Sequence, residues 1–143
     1  MKLLFICTGN TCRSPMAQAI FQHMAAERGL VAVSDSAGVR AVQGAPVSKN
    51  AVIALRNLFG IDGFAHASQP VSRELFDEAD RIVTLTEKHR RCLEEDFGPS
   101  DKIISFPFSV GDPWVGTLEA YEACAAKIKE GLIVLMEKII KND

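Results

Sequence analysis

Four short apolar runs punctuate the chain at KLLFIC (residues 2–7), LVAVSDSAGV (30–39), RIVTLT (81–86) and KIISF (102–106), and helical patterns lie between and after them. KLLFIC is apolar on both faces, as a strand buried on both sides must be. From Ser14 to about Arg28, Met16, Ala19, Ile20 and Met24 keep helical spacing, with Pro15 in the first turn and Gly29 at the end. The second run is expected to end as a strand at Ser36. A helix after Pro46 carries Val52, Leu55 and Leu58 and stops at Gly60, and SRELFDEA is a short helix capped by Ser72 with Glu74 in its first turn. EKHRRCLEEDF and a long segment from about Thr117 to Ile140 complete the helices. Strands alternating with helices require crossover connections. The fold class is therefore α/β, a parallel sheet with helices on both faces.

The chain length of 143 residues suits one domain, 1–143, and its 48% hydrophobic and 24% charged content is that of a globular protein. A net charge of −2 gives no basis for a nucleic-acid partner or an acidic membrane surface. No apolar run approaches the ~20 residues of a membrane span. The opening MKLLFIC is too short for a signal-peptide core, so the four cysteines are expected as reduced thiols in the cytoplasm.

Sheets of this kind place their sites beyond the carboxyl ends of strands, and CTGNTCRS and GDPW both lie there. Cys7 and Arg13 are separated by five residues immediately before a helix. If these residues curl, backbone N–H groups and the helix N-terminus form an anion cradle. Gly9 and Asn10 are the residue types that best accept the positive φ of such a curl. Arg13 can present its planar fork to two oxygens of a phosphoryl group. The same dipoles, with Ser14, are expected to lower the Cys7 pKa and make a sulfur nucleophile. The loop lacks the G-x-x-x-x-G-K-[ST] pattern of nucleotide-binding P-loops. A leaving atom needs a proton donor, and Asp112 in GDPWVG is the candidate, with Trp114 as a pocket wall.

CTGNTCRSP near the amino terminus, DSAG after the second strand, AHASQ in mid-chain and DPW late together resemble the low-molecular-weight protein tyrosine phosphatase family. The resemblance covers nearly the whole chain. It implies a four-stranded parallel sheet in a Rossmann-like three-layer sandwich, and a two-step hydrolysis through phosphocysteine. Cys7 would be the nucleophile, Arg13 the phosphate clamp, and Asp112 the acid and then the base toward water. Thr8, Gly9, Asn10, Thr11, Cys12 and Ser14 would surround the bound phosphoryl group of a phosphorylated protein. The resemblance further implies a polar network of Asn10, Ser14, Ser36 and His66 supporting the loop. His23 and His89 read as solvated helix residues. No close Cys/His spacing indicates a metal, and no cofactor is expected.

Tyrosine-selective members usually carry a bulky aliphatic residue where this chain has Thr11. The bacterial protein arginine phosphatases resemble it in reading CTGNTCRSPMA. A threonine leaves room and a hydroxyl for a planar guanidinium. Phosphoarginine is thus favoured, with a tyrosine phosphatase that has drifted at this position as the alternative. Trp114 and Val115 stand where tyrosines often follow Asp-Pro, and an aromatic wall suits either substrate.

Arsenate reductases sharing this fold need two further cysteines near the third strand, where this chain has Thr86 and a lone Cys92. Phosphocysteine carriers need neither clamp nor acid, so Arg13 and Asp112 argue for hydrolysis. Cys12 lies in the same loop as Cys7. The family implies a reversible protective disulfide between them, and a small buried side chain is the alternative.

Overall fold

The computed structural model describes residues 1–113 and 116–141. Four strands, β1 (Lys2–Cys7), β2 (Val33–Gly38), β3 (Arg81–Thr84) and β4 (Ile103–Ser105), form one parallel sheet in the order β2-β1-β3-β4. Five helices connect and follow them: α1 (Arg13–Glu27), α2 (Lys49–Phe59), α3 (Arg73–Glu78), α4 (Glu87–Phe97) and α5 (Leu118–Lys141).

β1 is buried on both faces, and its side chains alternate between two cores. Leu3 and Phe5 join Ile20, Phe21, Leu55, Ile128 and Leu132 under α1, α2 and α5. Leu4 and Ile6 join Phe76, Ile82 and Leu93 under α3 and α4. Each such buried side chain contributes roughly 1.5–3 kcal/mol. The long last helix fits closely over the first core. A Cβ on Gly131 would enter the ring of Phe106, the residue after β4, so glycine lets α5 pack directly on that ring.

β2 departs from expectation at both ends. Residues 30–32 lie outside it, with the Leu30 N–H donating to Ala25 O and closing α1. At the other end it continues past Ser36, pairing Ala37 with Ile6 and Gly38 with Cys7. The extension has a cause on its outer edge. The Gly38 N–H donates to Gln69 O and its carbonyl accepts from Val71 N, so the strand is paired on both sides there.

From β1 the chain passes to β2 on one side, and later to β3 on the other. The β1/β3 boundary is therefore the topological switch point, where such sheets open a crevice at their carboxyl ends. Three segments meet there: the loop after β1, the first turn of α4 beyond β3, and residues 106–113 beyond β4.

Candidate active site

Cys7 is the last residue of β1, and residues 8–12 bend directly into α1. The bend rests on one left-handed residue. Asn10 has φ of 58°, the only positive φ outside glycine among the described residues. Gly9, expected to share that role, does not have a positive φ, because a single reversal suffices and Asn10 supplies it. Cys12 occupies the N-cap of α1 without a side-chain cap, and no acidic residue lies in the first turn. The N-terminal amides of α1 thus have neither capping oxygen nor local carboxylate and favour an anion in front of them. Neighbouring backbone fastens the loop: Val39 N–H to Cys7 O and Arg40 N–H to Thr8 O, both 2.9 Å, and Ser48 N–H to Thr11 O, 2.8 Å.

The fully buried Asn10 side chain is the hub of the loop. Its amide nitrogen donates to Ser14 Oγ at 2.8 Å and Ser36 Oγ at 3.0 Å. Its amide oxygen accepts from the Gln69 N–H at 2.9 Å and from His66 Nε2 at 3.0 Å. Since His66 Nε2 also faces the Asn10 carbonyl at 3.0 Å, both its partners are acceptors and this nitrogen carries the proton. Burial lowers the His66 pKa, against the opposing pull of Asn10 and Asp35. The hydroxyl of Ser36 donates its own proton to Gln18 Oε1 at 2.6 Å. The four network residues read from sequence therefore do meet. Gln18 and Gln69 join them, and the Q of AHASQ was the available signal for the second.

Because Ser14 Oγ accepts from Asn10, its hydrogen is free for Cys7 Sγ, 2.8 Å away, and the Asn10 N–H approaches the same sulfur at 3.3 Å. Both interactions and the Arg13 charge favour thiolate. The residue is nevertheless 2% exposed, and burial pushes the Cys7 pKa above its ordinary value. The expected lowering is thus corrected. The sequence reveals the donors around the sulfur but not the desolvation they oppose.

Arg13 is also buried. One terminal nitrogen donates to Val110 O at 3.0 Å, and the other lies 3.4 Å from Thr8 Oγ1 and 3.6 Å from Asp112 Oδ2. Asp112, half-exposed, therefore sits at the mouth of the loop despite coming from the far side of β4. His89 corrects a second expectation. It is 1% exposed rather than solvated, and its Nε2 lies 3.0 Å from Thr8 Oγ1. Burial, reinforced by the Arg13 charge, lowers its pKa to about 4. Its place one turn beyond β3, at the switch point, was the signal that distinguished it from a solvated histidine. His23 is partly exposed, 3.7 Å from Glu27.

Behind the loop, Cys12 Sγ lies 3.2 Å from Ser48 Oγ and 3.4 Å from the hydroxyl of buried Tyr121. Cys7, Cys12, Cys92 and Cys124 are all free thiols. Thr86, where a relay cysteine would stand, caps α4 by accepting from the His89 N–H.

Residues 7–13 and Asp112 line a cleft of about 250 Å³. Thr11 is on its wall; Ser14 lies beneath, and Trp114 falls outside the described residues. A buried thiol, a fixed guanidinium, uncapped helix amides and a carboxylate at the mouth suit displacement at a tetrahedral anion. Among the described residues, no group of three His, Cys, Asp or Glu side chains converges to hold a metal.

Residues 2–143 match the family described as low molecular weight phosphotyrosine protein phosphatase. The chain belongs to that family. As a low-molecular-weight phosphatase it is similar over its whole length to the protein-arginine-phosphatase of Bacillus subtilis, at 33% identity covering 100% of this chain and 99% of the relative. A low molecular weight protein tyrosine phosphatase from T. tengcongensis superposes with a TM-score of 0.92 at 35% identity, covering 96% of this chain and 99% of that one. An arginine phosphatase, a cysteine-to-serine mutant with a phosphorylated active-site serine, superposes with a TM-score of 0.92 at 32% identity, covering 99% and 97%. The chain is accordingly a protein phosphatase on a four-stranded parallel α/β scaffold.

Proposed function

We propose that this phosphatase removes the phosphoryl group from phosphoarginine on proteins, with Cys7 as nucleophile, Arg13 as clamp and Asp112 as acid and base. In the first step the Cys7 thiol proton passes to the Asp112 carboxylate, the thiolate sulfur bonds to phosphorus and the P–N bond breaks. The Asp112 carboxyl gives its proton to the departing guanidine nitrogen. In the second, water bonds to phosphorus as the S–P bond breaks, and Asp112 takes the proton of water. The donors around the cradle stabilise the charge that builds on the phosphoryl oxygens.

The observation that carries the substrate preference is Thr11 on the wall of a cleft that Asp112, its carboxylate 48% exposed, also lines. A guanidinium is planar, charged and rich in donors, so it gains from a carboxylate and tolerates a hydroxyl. A phenol ring gains more from an aliphatic side chain in the same place. The Bacillus subtilis relative named as a protein-arginine-phosphatase supports the same reading. Phosphotyrosine is the second reading, favoured by the likeness to the T. tengcongensis protein tyrosine phosphatase.

The test is kcat/KM on matched phosphoarginine and phosphotyrosine peptides, with Cys7→Ser as blank and Thr11→Ile alongside. We expect a phosphoarginine preference that Thr11→Ile reverses by roughly ten- to a hundredfold, the scale on which exchanging a hydroxyl for an aliphatic group alters selection by a pocket. A phosphotyrosine preference that Thr11→Ile leaves untouched would assign the chain to the second reading.

A further inference from the structure

His89 has no part in the chemistry proposed above, yet it is buried and hydrogen-bonds to the cradle through Nε2. Its Nε2 lies 3.0 Å from Thr8 Oγ1, and the same oxygen lies 3.4 Å from an Arg13 terminal nitrogen. The other ring nitrogen, Nδ1, is buried without a hydrogen-bond partner.

That orphan nitrogen decides the proton's location. A buried, unpaired N–H is rarer and costlier in folded proteins than a buried, unpaired acceptor. The proton therefore sits on Nε2, and Nδ1 keeps only its lone pair. Thr8 Oγ1 then accepts from His89 and from Arg13, which uses both of its lone pairs. Its one remaining capacity is as a donor, and Thr8 lines the cleft beside Cys7 and Arg13.

We infer that His89 is a positioning residue that, through its Nε2–H, turns the Thr8 hydroxyl proton into the cleft as an additional donor to the phosphoryl oxygens. The inference rests on the reading of the loop as a phosphate cradle. It adds to that reading a side-chain donor beside Arg13 and a reason for an imidazole on the opposite layer of the fold. A neutral ring is required, since a second cation would compete with Arg13. Burial and Arg13 itself keep His89 neutral, with its pKa at about 4. The capping bond from the His89 N–H to Thr86 Oγ1 fixes its backbone in the first turn of α4, and burial with the Nε2 contact holds the ring.

The experiment is a double-mutant cycle on the full chain with Thr8→Val and His89→Leu, and with Thr8→Ser and His89→Gln as the conservative members. It is read by the inhibition constant of inorganic phosphate and by kcat/KM on para-nitrophenyl phosphate. Thr8→Val should weaken phosphate inhibition and kcat/KM by roughly tenfold, as for loss of one hydrogen bond to a charged group, while Thr8→Ser, which keeps the hydroxyl, should lose less than Thr8→Val. His89→Gln, which keeps a side-chain N–H donor, should retain more activity than His89→Leu. In the Thr8→Val background, His89→Leu should cost no more than about twofold further, because its effect passes through the absent hydroxyl. An unchanged phosphate constant in Thr8→Val overturns the inference. So does an equal loss from His89→Leu in both backgrounds, which is the signature of packing alone. A wild-type chain that neither binds phosphate nor hydrolyses the ester would instead remove the cradle reading beneath it.

Discussion

At the residue scale, Asn10 has the largest structural role in the site. It supplies the left-handed turn that a non-glycine residue adopts at a cost, and it offsets that cost with four side-chain hydrogen bonds in a fully buried position. Asn10→Ala keeps the strain and leaves Ser14, Ser36 and the Gln69 N–H each short of a partner. We expect a loss of roughly 2–4 kcal/mol in urea unfolding, and activity lower still, because the Ser14 hydroxyl is no longer aimed at sulfur. Stability within about 0.5 kcal/mol of wild type would show that the network is ornamental to folding. Ser14 isolates the electrostatic part. Its hydrogen bond is the largest of the influences that lower the Cys7 pKa against burial. Removing it in Ser14→Ala leaves desolvation less opposed, so the Cys7 pKa moves further up. The pH midpoint for alkylation of Cys7 by iodoacetamide should shift upward by the same amount. A midpoint that stays in place would mean that Ser14 does not stabilise the thiolate.

At the element scale, the loop keeps its shape because β2 runs past it. Gly38, the last residue of β2, lies so close under the bend that an added Cβ would enter the Thr8 carbonyl, lie 2.9 Å from Ala41 Cβ and 3.1 Å from the Asn10 nitrogen. Gly38→Ala must push backbone rather than a pliable side chain. It should cost roughly 1–3 kcal/mol of stability and should lower kcat/KM disproportionately, since the displaced atoms belong to the cradle. A variant as active as wild type would show that the loop yields without consequence. The bounds of α4 were readable to the residue because Thr86 caps one end and Gly98 follows the other. The continuation of β2 was not, because its cause is Gln69 on a distant segment, which no local pattern around Ser36 encodes. The candidate site divides the same way. Cys7, Arg13 and the Asn10 turn lie in one contiguous motif. The approach of His89 and Tyr121 depends on which helix the topology brings to the loop, and burial of the sulfur depends on the whole core.

At the scale of the whole molecule, the sheet order brings three segments to one crevice and buries His89 there, while His66 lies half-buried against the Asn10 turn. His89 titrates at about 4 in the folded protein, below its ordinary 6.5, through burial and the Arg13 and Lys88 charges, with Asp112 pulling the other way. His66 is lowered too, chiefly by burial. The unfolded chain takes up these protons first. Between pH 6.5 and 4 it holds more protons than the folded one, so stability falls as pH falls through that window and is fully present above it. For His89 alone the loss between about pH 7 and pH 5 is about 2 kcal/mol, and His66 adds to it with the same sign. Urea midpoints for the wild type should therefore drop over that interval, and His89→Gln, whose side chain does not titrate, should show a shallower drop. Equal slopes in the two proteins would mean that the His89 ring is protonated in place at little cost. That result would also remove the requirement for a neutral imidazole beside Arg13, while the Nε2–H that orients the Thr8 hydroxyl is present in both forms of the ring.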